Sequence, residues 1–214
     1  MRITILCTDE KHPILPLIND WINLNSSKHS IDLINKKDEI LKGDILFLIS
    51  CQEFISKTER MRYKVTLVIH SSDLPLGRGW SPHIWEIING KSQLTVSLIK
   101  AEDKIDTGMI YKKIKIKIEA HELWDEINKK LFKTEIKLLD FAVTSFKKLK
   151  GIEQTSDVKA TYYSKRNPSD SKINPRDSIK EQFNKIRVMD PKRYPAFFEL
   201  NGFKYKIILE KIHE

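Results

Sequence analysis

Apolar residues recur along this chain in two rhythms, a run or alternation of strand length and a stripe of helical spacing, and the two take turns. Residues 2–7, RITILC, form a short apolar run of strand length. After a polar turn, Ile14, Leu17, Ile18, Trp21 and Ile22 repeat at helical spacing across residues 14–23. Further strands are predicted at 30–34, 44–49 and 64–69, with a short helical stretch at 56–62 before the last of them. Alternation of this kind favours an open, mostly parallel sheet covered by helices, the α/β class.

The second half continues the pattern and then leaves it. A loop at 70–82 leads into an apolar helical segment, 82–89, which Gly90 terminates. Strands are predicted at 94–100 and 109–118. A long amphipathic helix over about 120–149 places Leu123, Trp124, Ile127, Leu131, Ile136, Leu139 and Phe146 on one side, and Gly151 closes it. From Ile152 the texture becomes polar, with Pro168 and Pro175, a short helix near 178–187, and two apolar alternating runs joined by Asn201-Gly202. That dipeptide between such runs is a hairpin signal. The expected organisation is an α/β body over 1–150 and a small β-rich appendage over 151–214.

Length and composition fit this organisation. The chain has 214 residues, 40% hydrophobic and 31% charged, which suits one folded domain with an appendage. No stretch of 18 apolar residues occurs, and the first apolar run is too short for a signal peptide, so a cytoplasmic protein with no membrane partner is expected. Cys7 and Cys51 lie in or just after apolar runs without metal-ligand spacing, and are expected as buried thiols with no bound metal. The net charge of +9 raises nucleic acid as a partner. Alternation of Lys with Ile over 113–118 is instead the pattern of a half-buried strand with a solvated face. The charge is compatible with tRNA, with a nucleotide diphosphate, or with no anionic partner.

Neither a GxGxxG turn after the first strand nor a GxxxxGK[ST] loop is present, which disfavours ordinary NAD and ATP sites. In an open α/β sheet a ligand still belongs outside the carboxyl ends of the strands. There the segment 68–82, VIHSSDLPLGRGWSP, puts His70 at a strand end, followed by a loop with Pro75, Gly77 and Gly79. A second loop, AEDKIDTG at 101–108, follows the next strand and offers Asp106 beside Gly108. A His and an Asp at the ends of neighbouring strands suit proton transfer.

HSSDLPLGRGWSPHIWEIINGK followed by IDTGMIYKK resembles the signature of the folate-dependent formyltransferase family. The tail, TYYSKRNPSD with Arg187 and RYPAFF, resembles the appendage of bacterial nucleotide-sugar N-formyltransferases of the pseudaminic-acid type. The resemblance implies a Rossmann-like formyltransferase body, N10-formyltetrahydrofolate as co-substrate, and formyl transfer to a nucleotide-linked amino sugar, UDP being the expected nucleotide. It implies His70 and Asp106 as the catalytic pair, and Ser71, Leu74, Ala101, Glu102, Asp103, Lys104 and Ile105 as folate-binding residues. Ser72, Arg78, Gly79, Tyr163 and Arg166 are the expected substrate-binding residues, and a homodimer without nucleic acid is the expected assembly. Trp85 is expected as a packing residue. The sequence departs from the family at Val68, two residues before His70, where the family carries an Asn that is thought to help hold a developing oxyanion. Such a donor is worth about 2.7–4 kcal/mol of barrier. A methionyl-tRNA formyltransferase and a catalytically silent folate or nucleotide-sugar binding module are the alternatives.

Overall fold

The computed structural model describes residues 1–212. In chain order, β1 (Arg2–Leu6), α1 (Leu15–Asn25), β2 (Ser30–Ile34), β3 (Gly43–Leu48), α2 (Lys57–Arg60) and β4 (Tyr63–His70) form the first half. A two-residue strand β5 (Arg78–Gly79), α3 (Pro82–Ile88), β6 (Gln93–Lys100), β7 (Ile110–Lys117) and α4 (Trp124–Thr144) complete the body. The tail carries β8 (Tyr162–Tyr163), α5 (Ile179–Arg187), β9 (Ala196–Leu200) and β10 (Phe203–Ile207).

The six-stranded sheet runs in the order β2-β1-β3-β4-β6-β7. β1 pairs in parallel with β2 and β3, and β3 pairs in parallel with β4. β4–β6 and β6–β7 are antiparallel. The inner strands β1, β3, β4 and β6 are buried along most of their length because both faces are covered, whereas the edge strands β2 and β7 are half-exposed. On one face Ile3, Ile5, Phe47, Leu67 and Leu98 pack against Ile18 and Trp21 of α1 and Leu131, Leu138 and Leu139 of α4. The Trp21 indole N–H donates to the Asp140 carboxylate at 2.6 Å and pins α1 to α4. On the other face Leu6, Leu46, Leu48 and Tyr63 pack against Ile40 and Ile55. β7 is an edge strand, and its Ile114 and Ile116 join the core while Lys113, Lys115 and Lys117 alternate with them. Lysines on an edge strand discourage pairing with another chain.

α4 is shorter than its apolar stripe predicts, and local hydrogen bonds set both ends. Residues 119–122 form a separate turn in which the Glu119 N–H donates to the Glu122 carboxylate at 2.9 Å, and the Leu123 N–H donates to Glu126 at 2.9 Å. At the far end the Thr144 hydroxyl donates back to the Asp140 carbonyl at 2.7 Å, and Phe146–Lys148 form a single 3₁₀ turn. Hydroxyls bonded back to the preceding turn compete with helix continuation.

The tail holds its predicted hairpin, β9–β10, turning at Asn201 and Gly202 with φ of 51° and 81°. Positive φ at both residues matches the twist of the flanking strands. Ile173, Ile186, Val188, Met189 and Ala196 of the tail share one apolar cluster with Ile87, Leu94, Ile118 and Ile127 of the body.

Candidate active site

β4 ends at His70, held in register with Ser97 of β6, and so delivers the imidazole to the carboxyl edge of the parallel strands. The ring is buried, and its Nε2 lies 2.9 Å from the Gly77 carbonyl. A carbonyl only accepts, so Nε2 carries the hydrogen and Nδ1 is turned to the other side. There the Asp106 carboxylate stands 3.6 Å from Nδ1, with both side chains 8% exposed. That gap is slightly beyond hydrogen-bond length, so a small shift closes it.

Asp106 is placed by the loop between β6 and β7 with a φ of 54°, a left-handed conformation that Asp tolerates better than most residues. Its second carboxylate oxygen accepts the Gly79 N–H at 2.8 Å. Gly79 must be glycine here, because its φ is 94° and a Cβ would stand 2.4 Å from the Tyr163 carbonyl oxygen.

The pair opens onto a cleft of about 480 Å³, within the size range of small-molecule sites. Val68, His70, Ser71, Gly79, Ala101, Glu102, Ile105, Asp106 and Arg166 line it. Other residues singled out in the sequence do not line it. The Ser72 side chain is wholly buried and its hydroxyl has no partner among the described residues. Leu74 is buried, and its carbonyl accepts from Lys113 Nζ at 2.7 Å. Arg78 points to the tail, donating to the Gln154 side chain at 2.6 Å and to the Tyr162 hydroxyl at 3.0 Å. Tyr163 pairs with Gly79 and stacks on Trp85 at 6.2 Å between ring centres, so Trp85 packs as expected. Asp103 is ion-paired with Arg60, whose hydrogen bond holds its carboxyl below the usual range, and Lys104 is exposed.

The cleft also gathers residues beyond the expected site residues: Asp9, His12, His83, Glu135, Lys165, Arg193 and Tyr194. Asp9 is neutralised by an ion pair with Arg193. Burial lowers His12 to about 4 and His83 to about 3, so both rings are neutral at pH 7. Burial likewise raises the Glu135 carboxyl to about 8. A signal for Glu135 exists in the sequence, for it sits four residues from both Leu131 and Leu139 on the apolar stripe of α4. Asp9 and His12 follow the carboxyl end of β1 as the loop residues follow β4, the position where open α/β sheets bind ligands.

A buried imidazole and carboxylate at the rim of a roomy cleft, on the carboxyl edge of an α/β sheet, define a site suited to general acid–base chemistry on bound small molecules. Residues 5–143 match the formyl transferase family, and the chain belongs to it. It is 32% identical over 192 residues to the bifunctional polymyxin resistance protein ArnA of Wigglesworthia glossinidia brevipalpis, covering 88% of this chain and 28% of that protein. Among solved structures it is similar to a methionyl-tRNA formyltransferase from Clostridium thermocellum, with 25% identity and a TM-score of 0.82 over 95% of this chain and 90% of that one. A 4-N formyltransferase from Francisella tularensis gives 20% identity and a TM-score of 0.76 over 99% and 98% of the two chains, a likeness of fold. The chain spans less than two thirds of the length of the first curated relatives it matches, 28% and 59%. No described helix is long and apolar enough to cross a membrane.

Proposed function

We propose that this chain transfers a formyl group from N10-formyltetrahydrofolate to the amino group of a nucleotide-linked amino sugar, with a UDP-sugar as the acceptor. The observation that carries the proposal is the meeting of His70 and Asp106 on one cleft with cationic residues from the tail. Val68, Ile99, Ala101 and Ile105 offer an apolar wall for a flat ring at one end of it. The main-chain N–H groups of residues 102–105 make no hydrogen bond to the described residues, so they are free to recognise such a ring. Folate fits there. Lys165 and Arg166 also line the cleft; one Arg166 Nη donates to the Ser171 hydroxyl at 2.9 Å, and its buried Nε has no partner among the described residues. A guanidinium with an unused donor suits a diphosphate.

The folate supplies the formyl carbon. His70 moves the proton: its ring, oriented by the Gly77 carbonyl and Asp106, relays a hydrogen from the attacking amine to the departing folate nitrogen. Asp106 keeps the ring aligned and stabilises its charged form. Arg78 and Tyr163, expected at the substrate, make the tail contacts described above.

The net charge of +9 and the likeness to a methionyl-tRNA formyltransferase support a second acceptor, the aminoacyl end of tRNA. One assay separates the two. Purified protein is supplied with N10-formyltetrahydrofolate and, in turn, UDP- and dTDP-linked amino sugars or methionyl-tRNA. Formyl transfer to an amino sugar, lost by about a hundredfold or more in His70→Asn and Asp106→Asn, is the expected result. Turnover with methionyl-tRNA and none with any amino sugar overturns the proposal.

A further inference from the structure

The matched family segment ends at residue 143, yet the catalytic loops are tied together by residues beyond it. Gln154 reaches between them. Its amide Nε2 donates to the Asp106 carbonyl at 2.7 Å and to the Gly108 carbonyl at 3.0 Å, and its Oε1 accepts from Arg78 at 2.6 Å. Both carbonyls belong to a turn with little room to rearrange. Asp106 holds a φ of 54°, and a Cβ on Gly108 would stand 1.9 Å from the Lys100 carbonyl oxygen.

Seven residues on, Thr161 does the same for the other partner. Its hydroxyl accepts the Gly77 N–H at 2.8 Å and its carbonyl accepts the Arg78 N–H at 2.9 Å. The Tyr163 carbonyl accepts the Trp80 N–H at 3.1 Å. Gly77 is the residue whose carbonyl takes the Nε2 hydrogen of His70. Gly79, in the same paired strand, gives its N–H to the Asp106 carboxylate. Residues 154–163 are therefore one hydrogen bond or one residue away from everything that orients the pair.

We infer that residues 154–163 form a positioning strap for the active site, in which Gln154 sets Asp106 and Thr161 sets the Gly77 carbonyl that aligns His70. Gln is suited to the task because the bridge needs two donors on one side and one acceptor on the other. A carboxylate of the same shape keeps the acceptor for Arg78 but brings lone pairs against the two loop carbonyls. Neither side chain touches the reacting atoms, so both act through geometry. An ångström of misplacement at such a site costs up to about a hundredfold in rate.

This inference rests on His70 and Asp106 being the catalytic pair. The test compares Gln154→Glu, Thr161→Val and the conservative Thr161→Ser, with the exposed Leu24→Ala of α1 as a control outside the strap. Gln154→Glu and Thr161→Val are expected to lower kcat about ten- to a hundredfold with KM for both substrates within about twofold. Thr161→Ser, which keeps the hydroxyl acceptor, and Leu24→Ala stay near wild type. In the same proteins amide hydrogen exchange over residues 104–109 is expected to speed up in Gln154→Glu while exchange in β1 and β3 is unchanged. Wild-type kcat in Gln154→Glu and Thr161→Val, or a loss confined to KM, overturns the strap and leaves the proposed function standing. If the wild type transfers formyl to no acceptor, that function falls, and unchanged exchange over 104–109 then overturns the strap on its own.

Discussion

At the scale of single residues the site is defined by one missing donor and one unpaired acid. Val68 lines the cleft two residues before His70 and has nothing to give to an oxyanion. Of the two neighbouring serines, Ser71 lines the cleft with it, whereas Ser72 is wholly buried against Gly77. The hydroxyl of Ser71 is therefore placed to replace the lost amide, and Ser71→Ala should lower kcat by about a hundredfold with little change in KM. Ser72→Ala should leave the rate near wild type. Equal rates for wild type and Ser71→Ala would reject the substitution of donors. Glu135 makes a separate prediction, for stability. Burial raises its carboxyl from the ordinary 4.5 to about 8 in the folded chain, so the folded state holds the proton across that interval while the unfolded chain releases it. Stability contributed by the neutral acid is complete below the unfolded value and falls as pH rises through the interval, by at most about 1.4 kcal/mol per pH unit. His12 and His83 act oppositely. Their pKa values are lowered to about 4 and about 3, so the folded state loses stability as pH falls below the ordinary imidazole value. The wild-type Tm should peak near pH 6, and Glu135→Gln should flatten the decline between pH 6 and 8 while leaving the acidic limb in place. A Glu135→Gln profile that falls as steeply as wild type above pH 6 would contradict the assignment.

At the scale of elements, what the sequence makes legible is what local periodicity controls. β2 was bounded correctly by its apolar run, β1, β3 and β4 to within a residue at each end, and the hairpin by Asn201-Gly202. The helix over 120–149 was overdrawn because an apolar stripe does not register a Thr144 hydroxyl bonding back to Asp140 or a separate turn closed by Glu122. At the site the loops carrying His70 and Asp106 were legible because motif and strand end coincide. The roles of Arg78 and Tyr163 were not, because two residues of β5 pairing with two residues of β8, 84 positions apart, leave no periodic trace. Arg78 looks like an anion ligand in the sequence; in the fold its guanidinium donates to Gln154 and Tyr162, and its Nε has no partner among the described residues. The meeting of Asp9, His12 and Glu135 with Arg193 of the tail motif leaves no local trace for a related reason. They converge from the ends of β1, the middle of α4 and the tail, and only the packed fold brings them to one cleft.

At the scale of the whole molecule the question is what the net charge of +9 is for. Some of the cations that suggest an anion-binding surface already have partners, and each such ion pair adds nothing to the net charge. Lys113 is bound by Asp73, Lys117 by Glu119, Lys130 by Glu122, and the Lys112 ammonium stands over the Phe141 ring at 5.4 Å. Such pairing weakens a phosphate-binding surface, since each new contact must first displace an existing one. The two acceptors then differ in how they respond to salt. A tRNA held by six or more phosphate contacts loses about a thousandfold in affinity between 50 and 200 mM salt, through counterion release. A nucleotide sugar presents one diphosphate, which on the proposed reading meets Lys165 and Arg166 of the cleft lining, and the same change in salt should then raise its KM by no more than about tenfold. Measuring formyl transfer across that range decides between them without a structure of either complex. A shallow salt dependence with an amino-sugar nucleotide, together with tRNA retention that vanishes by 200 mM, is the expected pair of results. A KM for the sugar nucleotide as salt-sensitive as tRNA binding would mean that the scattered lysines, and not the two cleft residues, hold the acceptor.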